Sequence, residues 1–157
     1  HALGCIYGGD IKGIINVVGS PQYGLACKPK TPINYIIYAG NKDYVVPPFD
    51  IASHDKYFYT PVTDIIDEWT TSFNCKEKEL SKHNKNDLIH EEVNFNCDNG
   101  VKIISLLNMD SGHAWPGTQE SAGFCRTIKQ KDIDLDNCTI IKNEWGNDFL
   151  LERLFNH

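Results

Sequence analysis

Three short runs of apolar, largely β-branched residues limit the fold more than any other feature of this sequence. They are GIINVVGS (13 to 20), INYIIYAG (33 to 40) and VKIISLLNM (101 to 109), and glycine, proline or polar residues flank each of them. The runs are nearly continuous in apolar residues rather than alternating, which is typical of strands in a parallel sheet that is covered on both faces. The sequence therefore predicts three strands of a mostly parallel sheet.

Helical patterns lie between and after these strands. In TPVTDIIDEWTTSFNC (60 to 75) the apolar residues recur on one face of a helix, with Thr60 as the predicted N-cap and Pro61 at the first helical position. The apolar positions are Val62, Ile65, Ile66, Trp69 and Phe73. A last helix is predicted in NDFLLERLFNH (147 to 157), and strands that alternate with helices predict an α/β fold.

The segment KEKELSKHNKNDLIHEE (76 to 92) is polar and rich in lysine. We interpret it as a solvated loop that precedes a minor strand, EEVNFNC (91 to 97). The chain contains no repeat, no low-complexity tract and no linker that would divide it, so residues 1–157 are predicted to form one domain.

The charge and hydropathy of the sequence argue against nucleic acid and membranes as binding partners. The formal net charge is −6, with 15 basic residues scattered among 21 acidic ones, so no basic patch for nucleic acid is expected. The sequence has no apolar stretch of the roughly 18 to 20 residues that span a bilayer, and we expect no membrane partner. Residues 1–20 lack a signal-peptide pattern, and the chain begins with His1 rather than Met.

An even number of cysteines predicts disulfides and an oxidising, secreted environment. Six cysteines allow 15 connectivities, among which we favour pairs that are neighbours in the sequence. No C-x-x-C or comparable metal-ligand spacing occurs, so no metal site is predicted. Asn137 begins an Asn-Cys-Thr glycosylation sequon, which agrees with secretion. The cysteines are Cys5, Cys27, Cys75, Cys97, Cys125 and Cys138.

Two residues suited to acid–base chemistry follow the second and third predicted strands. Asp43 lies in YAGNKDYVVPP, and His113 lies in NMDSGHAWPG. In α/β sheets ligands gather at the carboxyl ends of the strands, so these two side chains are expected at one edge of the sheet. Asp110 is an alternative carboxylate on the same loop as His113, but we prefer Asp43. His54, His83 and His90 have no comparable context and are expected to be surface residues.

An imidazole with a carboxylate on one nitrogen forms two thirds of a hydrolytic triad. The imidazole, with an ordinary pKa of about 6.5, can accept a hydroxyl proton and return it to a leaving group near neutral pH. The carboxylate selects the tautomer and stabilises the imidazolium. Gly112 and the rigid Trp115-Pro116-Gly117 turn are expected to hold the ring in place.

These two loops resemble a known family of enzymes. DSGHAWPG is similar to the histidine loop of the polyhydroxybutyrate depolymerase and feruloyl esterase group of secreted α/β-hydrolases, and YAGNKDYVVPP resembles the acid loop of that group. The resemblance covers most of residues 1–120 and implies that Asp43 is the catalytic acid and His113 the catalytic base. It also implies a disulfide between Cys75 and Cys97, and it weakens over FCRTIKQKDIDLDNC.

The sequence departs from this family at the nucleophile. The family places its serine in a G-x-S-x-G turn, and these 157 residues contain no such motif. Ser20 and Ser111 lack the flanking glycines. We therefore expect the chain to be the C-terminal portion of an α/β-hydrolase, a single partial catalytic domain whose nucleophile lies in an upstream half of the same polypeptide. Residues 1–157 alone are expected to be inactive.

The resemblance implies serine-type hydrolysis of carboxylic esters without a cofactor. Expected substrates are feruloyl or acetyl esters of plant cell-wall xylan, with polyhydroxyalkanoate esters as the alternative. Trp115 is expected either to line the substrate pocket or to pack within its loop.

A secreted carbohydrate-binding pseudoenzyme is a separate hypothesis, in which Tyr57, Phe58 and Tyr59 form a sugar platform. A cytosolic lipase-like hydrolase is disfavoured by the cysteines.

Overall fold

The computed structural model describes residues 1–85, 88–109, 111–113, 115 and 147–155. These residues form three α-helices, five strands and a short 3-10 turn. In chain order they are α1 (Ala2–Tyr7), β1 (Gly13–Val17), β2 (Asn34–Gly40), α2 (Val62–Ser72), β3 (Lys76–Lys85), β4 (Leu88–Asn96), the turn Asp98–Gly100, β5 (Lys102–Asn108) and α3 (Asn147–Phe155).

The strands form one mixed sheet in the order β1-β2-β5-β4-β3. Strands β1, β2 and β5 are the three predicted from apolar runs, and they are parallel neighbours. Strand β4 is antiparallel both to β5 and to β3. The predicted α/β class is confirmed, and the parallel strands meet at one carboxyl edge.

The prediction of a loop at residues 76–92 is wrong, because most of this segment lies in β3 and β4. Strand β4 pairs with β5 from His90 opposite Asn108 to Asn96 opposite Lys102. This ladder is made of backbone groups, which every residue type supplies, so the polar composition does not prevent strand formation. A Lys- and Glu-rich strand suits the end of a sheet, where charge discourages pairing with another chain.

Helix α2 covers one face of the parallel strands and confirms the predicted amphipathic pattern. Ile65, Ile66 and Trp69 are buried on this helix. The predicted N-cap is wrong by one residue, since Pro61 occupies that position and no side chain caps the helix. The Thr60 hydroxyl instead donates to the Gln22 carbonyl, and its backbone N–H donates to the Pro21 carbonyl.

Two apolar clusters sandwich the sheet. We call the first the α2 face; it joins Tyr35, Ile37 and Ile103 of the sheet to residues of α1 and α2. We call the second the α3 face; it joins Ile36, Tyr38, Ile104 and Leu106 to Leu150 and Leu154 of α3, which confirms the last predicted helix. Alternate residues of β2 and β5 point to opposite faces, as the pleat of a strand requires.

Two of the expected disulfides are present. Cys5 is bonded to Cys27 and Cys75 to Cys97, and all four residues pack in the α2 face. Both pairs are sequence neighbours, so the favoured connectivity is confirmed for them. Cys125, Cys138 and the sequon at Asn137 lie outside the described residues.

Candidate functional site

The register of two parallel strands brings the predicted acid and base together. Gly40, the last residue of β2, lies opposite Asn108, the last residue of β5. Asp43 follows three residues after the end of β2, and His113 five residues after the end of β5. Their side chains meet, with His113 Nδ1 2.8 Å from Asp43 Oδ2.

Asp43 is held in one orientation by its own turn. Its Oδ1 accepts hydrogen bonds of 2.9 Å from the backbone N–H groups of Val45 and Val46, and its N–H donates to the Gly40 carbonyl. The Asp43 side chain is fully buried. Because one oxygen is held by the backbone, the other is directed at His113, and burial shields the carboxylate from solvent screening.

The loop that carries His113 is fastened to the loop that carries Asp43. The N–H of Asn41 donates to the Asn108 carbonyl at 2.8 Å, and the N–H of Lys42 donates to the Ser111 carbonyl at 2.9 Å. The His113 side chain is 26% exposed, whereas its partner carboxylate has no exposed surface. One side of the ring is therefore held by the protein, and the ring still reaches the surface.

Gly40 is required by the close approach of the two loops. A Cβ built on Gly40 would lie 2.6 Å from the Gly112 carbonyl oxygen and closer still to that of Ser111. Real Cβ atoms do not approach backbone so closely, so a side chain here would push the His113 loop away. Gly112 was the glycine expected to hold the ring in place, and Gly40 was missed. Its position at the end of a buried strand was the available signal.

A buried polar network beneath the His113 loop was also missed. Asn108 Nδ2 donates to the Tyr38 hydroxyl at 3.0 Å. The buried Ser111 side chain lies beside the same hydroxyl, and its own hydroxyl donates to the Gly112 carbonyl at 3.4 Å. Burial raises the pKa of Tyr38. The hydroxyl therefore stays protonated across the neutral range and can both donate and accept.

Trp115 lies two residues beyond His113 and is 47% exposed, while Pro116, Gly117 and the alternative acid Asp110 lie outside the described residues. His54 is a surface residue as predicted, with its Nε2 3.0 Å from the exposed Asp55 carboxylate.

The structure also places the two serines considered as nucleophiles. Ser111 is buried and its hydroxyl donates to the Gly112 carbonyl, and the Ser20 hydroxyl donates to the Thr60 carbonyl. Both hydroxyls thus have structural partners. The side chains of His83 and His90 lie outside the described part of the structure.

One group of side chains has the composition of a metal site. Potential ligand atoms of His1, Cys5 and Cys27 lie within 4.8 Å of one another. The two cysteines are joined in a disulfide, and a disulfide does not offer the thiolates that bind zinc. The His1 ring packs against Trp69 and accepts a hydrogen bond from the Cys27 N–H, so this group is part of the α2 face.

Fold and site together define a small α/β domain with a carboxylate–imidazole pair at the carboxyl edge of its parallel strands. Neither the family models nor the curated proteins searched contain a match to this sequence. Within the described residues, every helix is too short or too polar to cross a bilayer. The two disulfides are consistent with an oxidising compartment.

Proposed function

We propose that this chain supplies the acid and the base of a secreted serine-type carboxylic ester hydrolase with an α/β-hydrolase fold. The observation that carries the proposal is the 2.8 Å contact between His113 Nδ1 and the buried Asp43 carboxylate. An ionised carboxylate only accepts hydrogen bonds, so the ring donates its Nδ1 proton to Asp43. Proton transfer to and from the reacting groups then falls to Nε2.

The chemistry assigned to the pair follows from this tautomer. His113 Nε2 takes the proton of the serine hydroxyl as that oxygen attacks the ester carbonyl, and it returns the proton to the departing alkoxide. The same nitrogen then activates water to hydrolyse the acyl-enzyme. Asp43 stabilises the imidazolium in both steps and keeps the ring oriented, which its two backbone hydrogen bonds make possible.

The nucleophile is proposed to lie N-terminal to residue 1. The absence of a G-x-S-x-G turn from residues 1–157 supports this location. A second support is that β1 stands at the end of the sheet, with no described strand on its outer side. Helix α1 exposes Leu3, Ile6 and Tyr7 by more than half of their surfaces, which is the apolar area that a further strand and helix would bury.

The proposed substrates are esters attached to a polymer. Feruloyl and acetyl esters of xylan are the first choice, and polyhydroxyalkanoate esters the second, on the strength of the resemblance in the acid and histidine loops. Trp115 lies two residues after His113 with 47% of its surface exposed, and it is suited to contact an aromatic acyl group or a sugar ring.

Ester hydrolysis by the polypeptide from the complete reading frame tests the proposal. Methyl ferulate, acetylated xylan and 3-hydroxybutyrate oligomers are the substrates to compare. We expect Asp43→Asn to lower kcat by about 10⁴-fold, and His113→Ala by at least as much, because the base and its orientation are lost. His54→Ala is the matched control, since it removes an exposed imidazole outside the pair.

Two results would contradict the proposal. One is hydrolysis of any of these esters that His113→Ala leaves unchanged. The other is turnover of an aryl ester by residues 1–157 alone, because the proposal places the nucleophile outside them.

A carbohydrate-binding protein without catalysis is a second candidate, favoured by one observation. Tyr23 N–H donates to the Phe58 carbonyl next to a β-bridge between Gln22 and Tyr59. Tyr23 and Phe58 are thus opposite one another on two antiparallel segments, and both are at least half exposed. Exposed aromatic rings on one face can stack on sugars, and xylan retention without ester cleavage by the complete polypeptide would support this candidate.

A further inference from the structure

We propose that Tyr38, Asn108 and Ser111 form a buried polar support that positions His113 against Asp43. This inference rests on the proposed function for the use of the imidazole, although the positioning can be measured without catalysis. None of the three is a catalytic residue, because each acts through the loop that carries His113.

The support connects three separate pieces of backbone. Tyr38 belongs to β2, Asn108 ends β5, and Ser111 lies on the loop two residues before His113. Asn108 Nδ2 donates to the Tyr38 hydroxyl at 3.0 Å, and the buried Ser111 side chain lies beside that hydroxyl and donates to the Gly112 carbonyl at 3.4 Å. The loop is thereby tied to both strands that form the carboxyl edge.

Burial makes these hydrogen bonds selective for one loop position. Asn108 is fully buried, Tyr38 is 1% exposed and Ser111 is 3% exposed. Water cannot replace a lost partner at such positions, so a displaced loop would leave buried polar groups unsatisfied. Ser111 is also fixed through its carbonyl, which accepts from the Lys42 N–H of the acid loop.

The composition of the support argues against a role in packing alone. Tyr38 contributes its ring to the α3 face beside Ile36, Ile104 and Leu106. A phenylalanine would fill that apolar site without a buried hydroxyl. The hydroxyl is therefore explained by its hydrogen bond with Asn108 and by its place beside Ser111, since both residues lie at the start of the segment that carries His113.

Tyr35 supplies a matched control on the same strand. It is as buried as Tyr38, and its hydroxyl also accepts a 3.0 Å hydrogen bond from an asparagine, Asn16. Tyr35 lies in the α2 face, where its ring stacks on Trp69. Tyr35→Phe and Tyr38→Phe thus remove the same group from equally buried sites, and only Tyr38 contacts the His113 loop.

The first readout is nuclear magnetic resonance of the ¹⁵N-labelled His113 ring, in the polypeptide from the complete reading frame. The proton shared between Nδ1 and Asp43 is expected far downfield in the wild type. We expect Tyr38→Phe and Ser111→Ala to weaken or shift this signal, because the ring samples positions out of line with the carboxylate. Tyr35→Phe should leave it unchanged. Because Ser111 lies outside the strands, Ser111→Ala still tests the positioning of His113 if the Tyr38→Phe protein does not fold.

The second readout is ester hydrolysis by the same variants. Misplacement of the base should lower kcat by up to about 10²-fold for Tyr38→Phe, with KM unchanged, and Tyr35→Phe should keep wild-type kcat. The inference is overturned if Tyr38→Phe and Ser111→Ala leave the His113 signal unchanged, or if Tyr35→Phe shifts it equally. A shifted signal in a protein without esterase activity would support the positioning role and refute the proposed function.

Discussion

The two faces of the sheet are built differently, and each contains one buried tyrosine of β2. On the α2 face, Tyr35 stacks on Trp69 with ring centroids 4.0 Å apart, and both disulfides pack in the same cluster. On the α3 face, the Tyr38 hydroxyl accepts a hydrogen bond from Asn108 and lies beside the buried Ser111 side chain below the His113 loop. There the helix α3 is fastened to β4 by an ion pair, with Arg153 Nη2 2.9 Å from the largely buried Glu92 carboxylate.

The two faces therefore differ in what they contribute: one stabilises the fold, and the other positions the side chains of the site. Aromatic stacking and disulfides stabilise the fold without demanding an exact geometry from polar groups. Buried hydrogen-bond networks contribute less net stability, but they favour one arrangement over its neighbours. We infer that the α2 face holds the sheet together and that the carboxyl end of the α3 face sets the site.

Trp69→Ala should cause the largest loss of stability. Trp69 is fully buried between Tyr35 and Phe73, and removing such a ring from a core costs about 3 to 5 kcal/mol. Urea unfolding followed by far-ultraviolet circular dichroism measures the change. The His113 signal should persist in the folded variant. A loss below about 1 kcal/mol would show that the α2 face is not the main source of stability.

Replacing either disulfide by a pair of serines should have the next largest effect. Both bonds join cysteines 22 residues apart, so loop-closure entropy predicts similar losses of about 3 kcal/mol. Denaturant unfolding of Cys5→Ser/Cys27→Ser and Cys75→Ser/Cys97→Ser gives the two values. A variant as stable as the wild type would show that its disulfide does not contribute to the stability of the α2 face.

Gly40→Ala should cost less stability but should affect the site more. The added methyl group meets the Ser111 and Gly112 carbonyls, and relief of that overlap costs about 1 to 3 kcal/mol and moves the His113 loop. Thermal unfolding and the His113 resonance measure the two consequences. Gly9→Ala is the control, because its nearest neighbour would be Thr31 Cγ2 at 3.8 Å, an ordinary contact. Equal behaviour of the two variants would contradict the role of Gly40.

Alkaline pH should produce the smallest effect, one that is absent at neutral pH. Burial raises the pKa of both Tyr35 and Tyr38, so their neutral forms are favoured in the folded protein. Their contribution to stability is complete below the unfolded pKa of about 10 and is lost as the pH rises above it toward the folded values. Tyrosinate absorbance, recorded with and without denaturant, should show that part of the seven tyrosines ionises late in the native protein. Coincident titration curves would refute the burial of these hydroxyls.

The candidate pair could be predicted from the sequence because it depends on few assumptions. Two apolar runs predicted parallel strands, and parallel strands that are neighbours bring the residues after them to one edge. Asp43 and His113 were the chemically suitable residues at these two ends. The helix α2 was predictable for a similar reason, since its apolar residues follow one helical face.

The support below His113 could not be predicted, because it depends on register. Tyr38 appeared as one more apolar position of a strand, and Asn108 as the polar end of another. They meet only because Gly40 lies opposite Asn108. The predicted minor strand at residues 91–97 lies largely in β4, whereas β3 and the first residues of β4 were missed. Their Lys-, Glu- and Asn-rich sequence has low strand propensity, and the backbone pairing of β4 with β5 and of β3 with β4 outweighs that preference. Threonine is a residue type that often caps a helix N-terminus, yet the Thr60 hydroxyl donates to the Gln22 carbonyl instead.

Labelling with a fluorophosphonate tests the central claim most directly. This reagent forms a covalent bond with serines that a neighbouring base activates, and mass spectrometry of the polypeptide from the complete reading frame locates the adduct. The account predicts one labelled serine in a G-x-S-x-G turn N-terminal to residue 1, with labelling lost in His113→Ala and kept in His54→Ala. An unlabelled protein, or a serine that still reacts in His113→Ala, would contradict the assignment of Asp43 and His113 as a catalytic pair.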